Sequence, residues 1–511
     1  MSLKKNIIAN YVSQIYVTLI GILMLPIYIK YMGAEAYGLV GFFSMLQAMF
    51  NLLDLGLTPT ISRETARFRA GSVNALNFLR LFRALSSIFL MIAVIGGSSL
   101  FFLSPSLAED WLNAETLPLN DIQTVMQIMA VSVALRWMCG LYRGVITGTE
   151  RLVWLGGFNV LISTLRFVVV LPVMWYFGFI PIVFFIYQFL IAVIEITGLW
   201  LESTRLLPKL ESTSETIGWS LSPVRPVLKF SLTIAFTASV WVMVTQLDKL
   251  VLSSVLPLAE YGYFTLAVLV AGGILVIGGP VSSAIRPRMA KLEAEGNRKE
   301  VIRIYRQSTQ LVTIIAGSAA VTLAFCAEPL LWAWTGDEVL SGKAAPILTL
   351  YAIGNGVLVI AAFPYYLQYA RGNLKLHLIG NLLLLFFLIP SIVLSAIYYG
   401  AIGAGYAWVV VNSLYLLIWV AIIHRKLEPG LHLSWFFKDL LVIYVPIILL
   451  GFTLLLIKVD LSSRLIALAY VIVFGGCMLT LAVPMSTDAR DFASKIKNKI
   501  MIKHIKNSVE L

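Results

Sequence analysis

Long apolar segments recur along the chain from Ile7 to Pro484, and short polar loops separate them. A membrane-spanning helix needs about 20 mostly apolar residues, and fourteen segments meet that requirement. The predicted spans are 7–29, 37–57, 81–104, 122–146, 155–176, 180–201, 230–254, 262–284, 309–327, 346–369, 377–397, 402–423, 440–457 and 465–484. The pattern therefore predicts an all-α polytopic membrane protein with fourteen transmembrane helices.

Composition excludes a soluble enzyme. Of the 511 residues, 59% are hydrophobic and 13% are charged, whereas soluble domains average about 25% charged residues. The formal net charge is +12, but the cations lie in short loops between apolar segments, which fits membrane topology and gives no basic groove for nucleic acid. We expect membrane lipids as partners and no nucleic acid.

The loop charges predict the orientation of the chain. Cationic loops stay on the cytoplasmic side of a membrane. If the N-terminus is inside, most of the 38 Lys and Arg residues fall in cytoplasmic loops, while Lys30, Lys343, Lys458 and Arg464 fall outside. Both termini are thus predicted to be cytoplasmic.

An internal repeat organises the spans. Glu35-Ala36-Tyr37-Gly38 opens the second span and Glu260-Tyr261-Gly262 opens the eighth. Asn159 and Tyr176-Phe177-Gly178 recur 222 positions later as Asn381 and Tyr398-Tyr399-Gly400. Two six-span halves follow, and an even number of spans per half makes the repeats parallel, with substrate between them in transporters of this kind. The alternative is chance similarity between apolar helices.

The repeat divides the chain into five predicted parts. They are an N-terminal six-helix lobe at 1–202, a cytoplasmic linker at 203–229, a C-terminal six-helix lobe at 230–427, two additional helices at 428–484 and a basic cytoplasmic tail at 485–511. Trp219 and Leu221 suggest that the linker lies on the membrane surface. The tail lysines are expected either on anionic lipid headgroups or on a plain solvated helix.

Ionisable residues inside the spans mark the candidate site. Arg136, Arg166, Glu195 and the pair Asp248-Lys249 lie in spans four to seven. Each costs about 2.5 to 3.5 kcal/mol at the bilayer centre unless it faces a polar interior. One alternative is that Arg136 and Arg166 pair with Glu195 and that Lys249 snorkels outward. Because that arrangement cannot neutralise all three cations, we expect a cavity that binds anions, and guanidinium groups suit phosphate.

Other residues extend this prediction. Arg63 follows Asp54 near the inner end of span two, and Lys30 ends span one on the outer side, so Arg63 and Lys30 are further candidate substrate contacts. The candidate hinge residues, which interrupt spans one, eight and ten, are Pro26, Gly278, Pro280 and Pro364. Proline permits bending, although it is common in membrane helices anyway.

Energy coupling is expected to use a proton or sodium gradient and no cofactor. The segment from Gly336 to Lys343 is the nearest match to a phosphate-binding loop motif. Its glycine spacing is one residue too long, however, and Ala344 stands where the motif requires Ser or Thr. Asp54, Glu195 and Asp248 are the candidate ion carriers, and the ion stays open. Histidines lack metal-ligand spacing, and Glu109-Asp110 is better explained as a solvated loop pair than as a glycosyltransferase site, so no enzyme is predicted.

Several motifs resemble those of the oligosaccharide flippases of polysaccharide biosynthesis, O-antigen type. They are Tyr31-Met32-Gly33-Ala34-Glu35-Ala36-Tyr37-Gly38, Leu53-Asp54-Leu55-Gly56-Leu57 with Arg63, Gln246 to Leu252, Tyr261 to Ala267, Arg143-Gly144 and Arg371-Gly372-Asn373. Their order covers nearly the whole chain. The resemblance implies the multidrug, oligosaccharidyl-lipid and polysaccharide exporter superfamily, with two six-helix lobes and two extra helices.

The resemblance also implies a function. Such flippases move undecaprenyl-pyrophosphate-linked oligosaccharide from the cytoplasmic to the periplasmic leaflet of the bacterial inner membrane, for O-antigen and lipopolysaccharide synthesis. Polysaccharide polymerase and glycosyltransferases would be partners. On the charge argument given above, and not on the resemblance, Arg136, Arg166 and Lys249 are expected to hold the pyrophosphate. The alternatives are a multidrug exporter of the same superfamily, which would favour acidic and aromatic cavity residues, and a membrane glycosyl- or acyltransferase.

Overall fold

The computed structural model describes residues 3–209, 217–457, 459 and 461–486. Its α-helices are α1 (Leu3–Met32), α2 (Ala34–Phe50), α3 (Leu57–Arg69), α4 (Ala75–Ser106), α5 (Leu119–Gly148), α6 (Leu152–Thr164), α7 (Val170–Phe177), α8 (Pro181–Leu206), α9 (Arg225–Val255), α10 (Leu258–Ala294), α11 (Arg298–Val312), α12 (Ser318–Phe325), α13 (Ala327–Thr335), α14 (Glu338–Ala361), α15 (Phe363–Ala370), α16 (Lys375–Leu414), α17 (Val420–Leu427), α18 (Leu431–Trp435), α19 (Val442–Leu455) and α20 (Arg464–Ala482). The described residues form no strand, only one isolated bridge between Asn113 and Pro257. The predicted all-α membrane fold is confirmed.

Short π-helical or 3₁₀ segments join or extend several helices. The π segments are Leu107–Trp111, Leu165–Val169, Thr313–Gly317, Tyr415–Trp419 and Phe436–Leu441, and the 3₁₀ segments are Asn51–Asp54, Ser222–Val224 and Val483–Met485. A π turn pairs each carbonyl with the N–H group five residues on, where an α-helix uses the group four residues on.

Twelve helical stretches in the described part of the chain are long and apolar enough to span a membrane. One of them, Lys375–Leu427, contains both predicted spans 377–397 and 402–423, and Gly400 breaks its helical geometry with φ 59° and ψ −145°. Helix α9 covers the predicted span 230–254 but is not among the twelve. The multi-pass architecture is therefore established, and the count of fourteen stays a prediction.

The chain divides into two compact units, unit 1 at 1–262 and unit 2 at 263–511. The lobe boundaries expected from the repeat stay predictions. The basic tail from 487 onward lies outside the described residues, so its expected contact with lipid headgroups also stays a prediction.

Backbone geometry repeats with the spacing found in the sequence. Gly178 has φ 105° and Gly400 has φ 59°, and each ends a helix that carries exposed aromatic residues. Glu150 has φ 59° and Gly372 has φ 68°. Both pairs are 222 positions apart. The repeat therefore extends to turn geometry, which chance similarity between apolar helices does not explain.

The Glu35 to Gly38 motif has a packing role within unit 1. The Glu35 carboxylate accepts hydrogen bonds from the backbone N–H groups of Glu115, Thr116 and Leu117 at 2.8 to 3.1 Å and from the Thr116 hydroxyl at 2.6 Å. A negative charge also suits the positive end of α2. The motif ties the loop before α5 to the start of α2.

A glycine pair lets α2 and the start of α10 cross at short range. A Cβ on Gly38 would lie 2.3 Å from the carbonyl oxygen of Leu258, and one on Gly262 would lie 2.7 Å from the carbonyl oxygen of Ala34. Each half of the repeat thus supplies a Tyr-Gly pair whose glycine has no room for a side chain.

Candidate functional site

A ladder of polar pairs joins α5, and the turn that follows it, to α8. The pairs are Arg136–Gln188 at 2.9 Å, Arg143–Glu195 at 2.6 Å and Arg151–Glu202 at 2.7 Å. Arg136 and Arg143 lie on α5, whereas Arg151 lies in the turn between α5 and α6. Residue numbers rise together along both sides of the ladder, so α5 and α8 run parallel. Because a spacing of seven residues returns to the same helix face after two turns, the first two pairs fix the register of α5 against α8 and point two arginines from α5 toward α8.

A π segment at Leu165–Val169 places Arg166 beside this ladder. Three of its carbonyl groups accept hydrogen bonds from side chains: Tyr187 to Leu165 at 2.9 Å, Gln188 to Arg166 at 3.0 Å and Tyr28 to Phe167 at 2.6 Å. These side chains, which come from α1 and α8, thus hydrogen-bond three successive carbonyls of the widened turn. The distortion is thereby held in place by α1 and α8.

Glu195 is the single carboxylate of the cluster and binds two arginines. Its Oε2 atom lies 2.5 Å from Nη2 of Arg166, and its Oε1 atom lies 2.6 Å from Nη2 of Arg143. Arg143 also donates to Asn159 Oδ1 at 2.7 Å. The Glu195 side chain is 7% exposed, so water screens these contacts little.

Arg136 completes the cluster with uncharged partners. It donates to Gln47 Oε1 at 2.7 Å and to Gln188 Oε1 at 2.9 Å. Its guanidinium lies 4.9 Å from the centre of the Phe43 ring, a favourable cation–π distance. Three guanidinium groups thus face one carboxylate, which leaves a formal excess of two positive charges.

A cavity of about 270 Å³ opens against this cluster within unit 1. Its polar lining residues are Arg143, Asn159, Arg166 and Glu195, together with Ser13, Gln14, Thr18 and Ser163. Guanidinium, amide and hydroxyl groups together can bind an oxyanion and sugar hydroxyl groups. A polar cavity lined by Arg143 and Arg166 thus lies in unit 1, and its binding of anions stays a prediction.

The alternative in which Arg136 and Arg166 both pair with Glu195 holds for Arg166 alone. Arg166 pairs with Glu195, but the second cation on that carboxylate is Arg143. The sequence signal was present, because Arg143 lies seven residues after Arg136, and Gln188 lies seven before Glu195. A heptad comparison of spans four and six would have found it.

Asp248 and Lys249 form a local pair on α9. Lys249 Nζ donates to the carbonyl of Thr245 at 2.5 Å and lies 3.7 Å from the Asp248 carboxylate. The Asp248 side chain is 3% exposed. A lysine that binds the backbone and a carboxylate of its own helix is already neutralised locally. The role of Lys249 as a phosphate contact and that of Asp248 as an ion carrier stay predictions.

Asp54 ends the 3₁₀ segment that precedes α3, and its carboxylate contacts the first turn of α3. It accepts hydrogen bonds from the Thr58 hydroxyl at 2.5 Å and from the Thr58 backbone N–H at 3.2 Å. Arg63 is half exposed and lies 3.8 Å from Glu64. Lys30 is exposed, with Nζ 5.7 Å from the centre of the Tyr31 ring. The coupling role of Asp54 and the binding roles of Arg63 and Lys30 stay predictions.

The candidate hinge residues lie in different settings. Pro26 lies inside α1 and Pro280 inside α10, and both helices continue past the proline. Pro364 lies in the first turn of α15, directly after the break that ends α14. A Cβ on Gly278 would lie 3.0 Å from Val359. A hinge role remains a prediction for each of the four.

Unit 2 contains a buried ion pair of a different kind. Arg306 on α11 binds both oxygens of Asp439 at 2.6 and 3.0 Å, and Gln310 donates to the same carboxylate. The Asp439 side chain is fully buried. Here one cation balances one anion, as in an ion pair that holds helices together. The arginine cluster of unit 1 differs because its positive charge is in excess.

Solved membrane transporters share this fold. The lipid II flippase MurJ in its inward closed conformation matches with a TM-score of 0.72 and 14% identity, over 96% of this chain and 99% of that one. An inward-facing multidrug resistance MATE family transporter of the MOP superfamily matches with a TM-score of 0.64 and 15% identity, over 81% and 96%. A MOP superfamily transporter from Pyrococcus furiosus matches with 0.55 and 15%, over 82% and 95%.

At these identities the structural likeness defines the class of fold, that of MOP-type membrane transporters. The family model described as "Polysaccharide biosynthesis protein" matches residues 3–293, more than half of the chain. The chain belongs to this polysaccharide biosynthesis family. No curated protein matches it significantly.

Proposed function

We propose that this protein is a secondary transporter, not an enzyme, that flips undecaprenyl-pyrophosphate-linked oligosaccharide from the cytoplasmic to the periplasmic leaflet of a bacterial inner membrane. The observation that carries the proposal is the arginine cluster of unit 1, where Arg136, Arg143 and Arg166 face one carboxylate beside a polar cavity. Membership of the polysaccharide biosynthesis family supports a glycan substrate. The shared fold with a lipid II flippase supports a lipid-linked one.

Charge decides the kind of ligand. Each cation in the membrane interior costs about 2.5 to 3.5 kcal/mol unless it is compensated, and Glu195 compensates only part of the cluster. A pyrophosphate brings at least two negative charges and several oxygens that accept bidentate guanidinium hydrogen bonds. An organic cation, the substrate class of a multidrug exporter, would be repelled by the same groups. The cavity thus favours the anionic substrate over the exporter alternative.

Alternating access would move the headgroup across the membrane while the polyprenyl tail stays in lipid. A proton or sodium gradient would supply the energy, with Asp54, Glu195 and Asp248 as the candidate carriers. Glycosyltransferases that build the lipid-linked unit and a polymerase that extends it would act before and after this step. The O-antigen of lipopolysaccharide is the product class that the sequence resemblance favours.

Deletion of the gene, followed by extraction of lipid-linked oligosaccharides and detection of surface glycan, tests the proposal. We expect a complete intermediate to accumulate on the cytoplasmic side and surface glycan to be lost. Complementation with Arg166→Ala should fail. Complementation with Arg166→Lys should succeed in part, because lysine keeps the positive charge but lacks the planar guanidinium group that binds phosphate through two hydrogen bonds. Unchanged glycan with increased drug sensitivity would instead identify an exporter, and an incomplete oligosaccharide would identify a transferase.

A further inference from the structure

The anion site of unit 1 already contains an anion that belongs to the chain. The guanidinium groups of Arg143 and Arg166 both line the cavity, and both donate to Glu195 at 2.6 and 2.5 Å. These donors are the ones that a phosphate in the cavity would use. The two Glu195 oxygens therefore lie where two oxygens of a bound phosphate would find their hydrogen-bond partners.

We propose that Glu195 is a built-in counter-ion that competes with the substrate phosphate for Arg143 and Arg166 and so lowers the affinity of the empty site for oxyanions. This inference rests on the proposed function for the identity of the phosphate-bearing substrate. The competition itself can be measured without transport.

A transporter needs such a competitor for two reasons. An empty site with unpaired guanidinium groups would be costly in the membrane interior, and the carboxylate removes part of that cost while no substrate is bound. A site that held pyrophosphate with all its arginines free would also release it slowly, because affinity differences appear mostly in the dissociation rate. A substrate with two negative charges then offsets the remaining excess of two positive charges, so the loaded site is close to charge balance.

The ion pair of Arg151 and Glu202 provides a matched comparison. Arg151, in the turn after α5, and Glu202 on α8 form the same kind of contact at 2.7 Å. The Arg151 side chain is 53% exposed, however, and the cavity is lined by Glu195 and not by Glu202. Both carboxylates are buried, so Glu202→Gln controls for the loss of a buried charge at a position away from the anion site.

The competition also determines how protonation of Glu195 affects the binding of substrate. The charged and titratable groups that face Glu195 are Arg136, Cys139 and Arg143 on α5 and Arg166 on the π segment, while α1 contributes Ser13, Gln14 and Thr18 to the same cavity. A proton on Glu195 neutralises it and frees the arginines for the phosphate. Proton and anion therefore bind together at this site.

A carrier that exports an anion in exchange for an entering proton needs the opposite relation, because the two ligands must displace each other. At Glu195 the proton and the anion favour each other's binding, so Glu195 does not fit the role of proton carrier in an antiporter. If the coupling ion is a proton, Asp54 and Asp248 are the remaining candidates, and Glu195 sets the affinity for substrate.

Sulfate binding to the purified full-length protein, measured by titration calorimetry in lipid nanodiscs, tests the inference. Sulfate is a divalent tetrahedral oxyanion whose charge stays constant near neutral pH. Glu195→Gln should bind sulfate about tenfold more tightly than the wild type, within the usual range of coupling between two ligands. Glu202→Gln should bind it as the wild type does. Acidification should tighten binding to the wild type and leave Glu195→Gln unchanged.

Glu195→Asp keeps the charge but shortens the side chain, so it should bind sulfate with an affinity between those of the wild type and Glu195→Gln. If Glu195→Gln does not fold, the sulfate affinity of Glu195→Asp tests the inference in its place. Equal or weaker sulfate binding by the Glu195 variants, or no binding by any form of the protein, would overturn the inference. Tighter binding together with unchanged surface glycan in the deletion strain would instead retain the counter-ion and reject the proposed function.

Discussion

At the residue scale, the buried Glu195 carboxylate holds Arg143 and Arg166 at 2.6 and 2.5 Å, and an ionisable group in a span is costly unless such a partner compensates it. That cost is the reason why the apolar surroundings of a charge are enough to find Arg136, Arg166 and Glu195 in the sequence. Arg143 was missed as a site residue for a physical reason. It stands near the cytoplasmic end of its span, where a long cation usually reaches out to water. The contact with Glu195 depends on the register between α5 and α8, which hydropathy along a single span does not contain.

Substitution of Arg143 should therefore impair transport as strongly as substitution of Arg166. Loss of a hydrogen bond between charged groups costs about 1.5 to 3 kcal/mol, which corresponds to about a tenfold or greater loss of export. Surface glycan measured in a complemented deletion strain checks this expectation. The control is Arg151→Ala. Arg151 pairs with Glu202 in the same ladder but is half exposed, so its loss should leave export nearly intact. Normal glycan from an equally abundant Arg143→Ala protein would remove Arg143 from the site.

The buried ion pair of unit 2 should behave differently, because it serves stability. Arg306→Ala leaves the fully buried Asp439 carboxylate without its cation, and removal of one partner from such a pair costs about 3 to 5 kcal/mol. Thermal unfolding in detergent should show a large loss of stability. Arg303→Ala, on the same helix and 62% exposed beside Glu300, should change stability by no more than about 1 kcal/mol. Equal effects of the two variants would show that the pair is not structural.

At the element scale, the sequence predicted where most helices lie, because an apolar run of span length has few alternatives in a membrane. It did not predict the π segments, since a π turn changes the backbone hydrogen bonds without changing the apolar pattern. The Leu165–Val169 segment is held by Tyr28, Tyr187 and Gln188 from other helices. Only the folded unit brings those side chains to it. The repeated Tyr-Gly pairs were visible in the sequence, and the structure supplies their packing reason.

The crossing at Gly38 should not tolerate a side chain. A Cβ there would lie 2.3 Å from the Leu258 carbonyl oxygen, so the backbones must separate, and overpacking typically costs about 1 to 3 kcal/mol. Thermal unfolding of Gly38→Ala should show this loss. Gly272→Ala is the control, because a Cβ at Gly272 meets nothing within 4 Å and alanine is the better helix former. An unchanged unfolding temperature for Gly38→Ala would mean that the crossing is loose.

At the scale of the whole molecule, the charge bias of the loops predicts the topology, and the twelve candidate spans establish a multi-pass protein. Reporter fusions after Glu115 and Asp337 should report the periplasm, and fusions after Arg298 and Lys495 the cytoplasm. Arg298 is the first residue of α11 and belongs to a connection that is predicted to be cytoplasmic. A cytoplasmic signal from either of the first two fusions would contradict the predicted orientation, and with it the direction of transport.

Movement of the glycan headgroup across a bilayer tests the central claim most directly. The measurement uses vesicles that contain the purified protein and undecaprenyl-pyrophosphate-linked oligosaccharide, with a membrane-impermeant reagent that reports which leaflet exposes the sugar. Under a proton or sodium gradient, the wild type and Glu202→Gln should transfer the headgroup between leaflets, and Arg166→Ala should not. Equal rates for Arg166→Ala and the wild type, or a wild-type rate no faster than that of protein-free vesicles, would contradict the account.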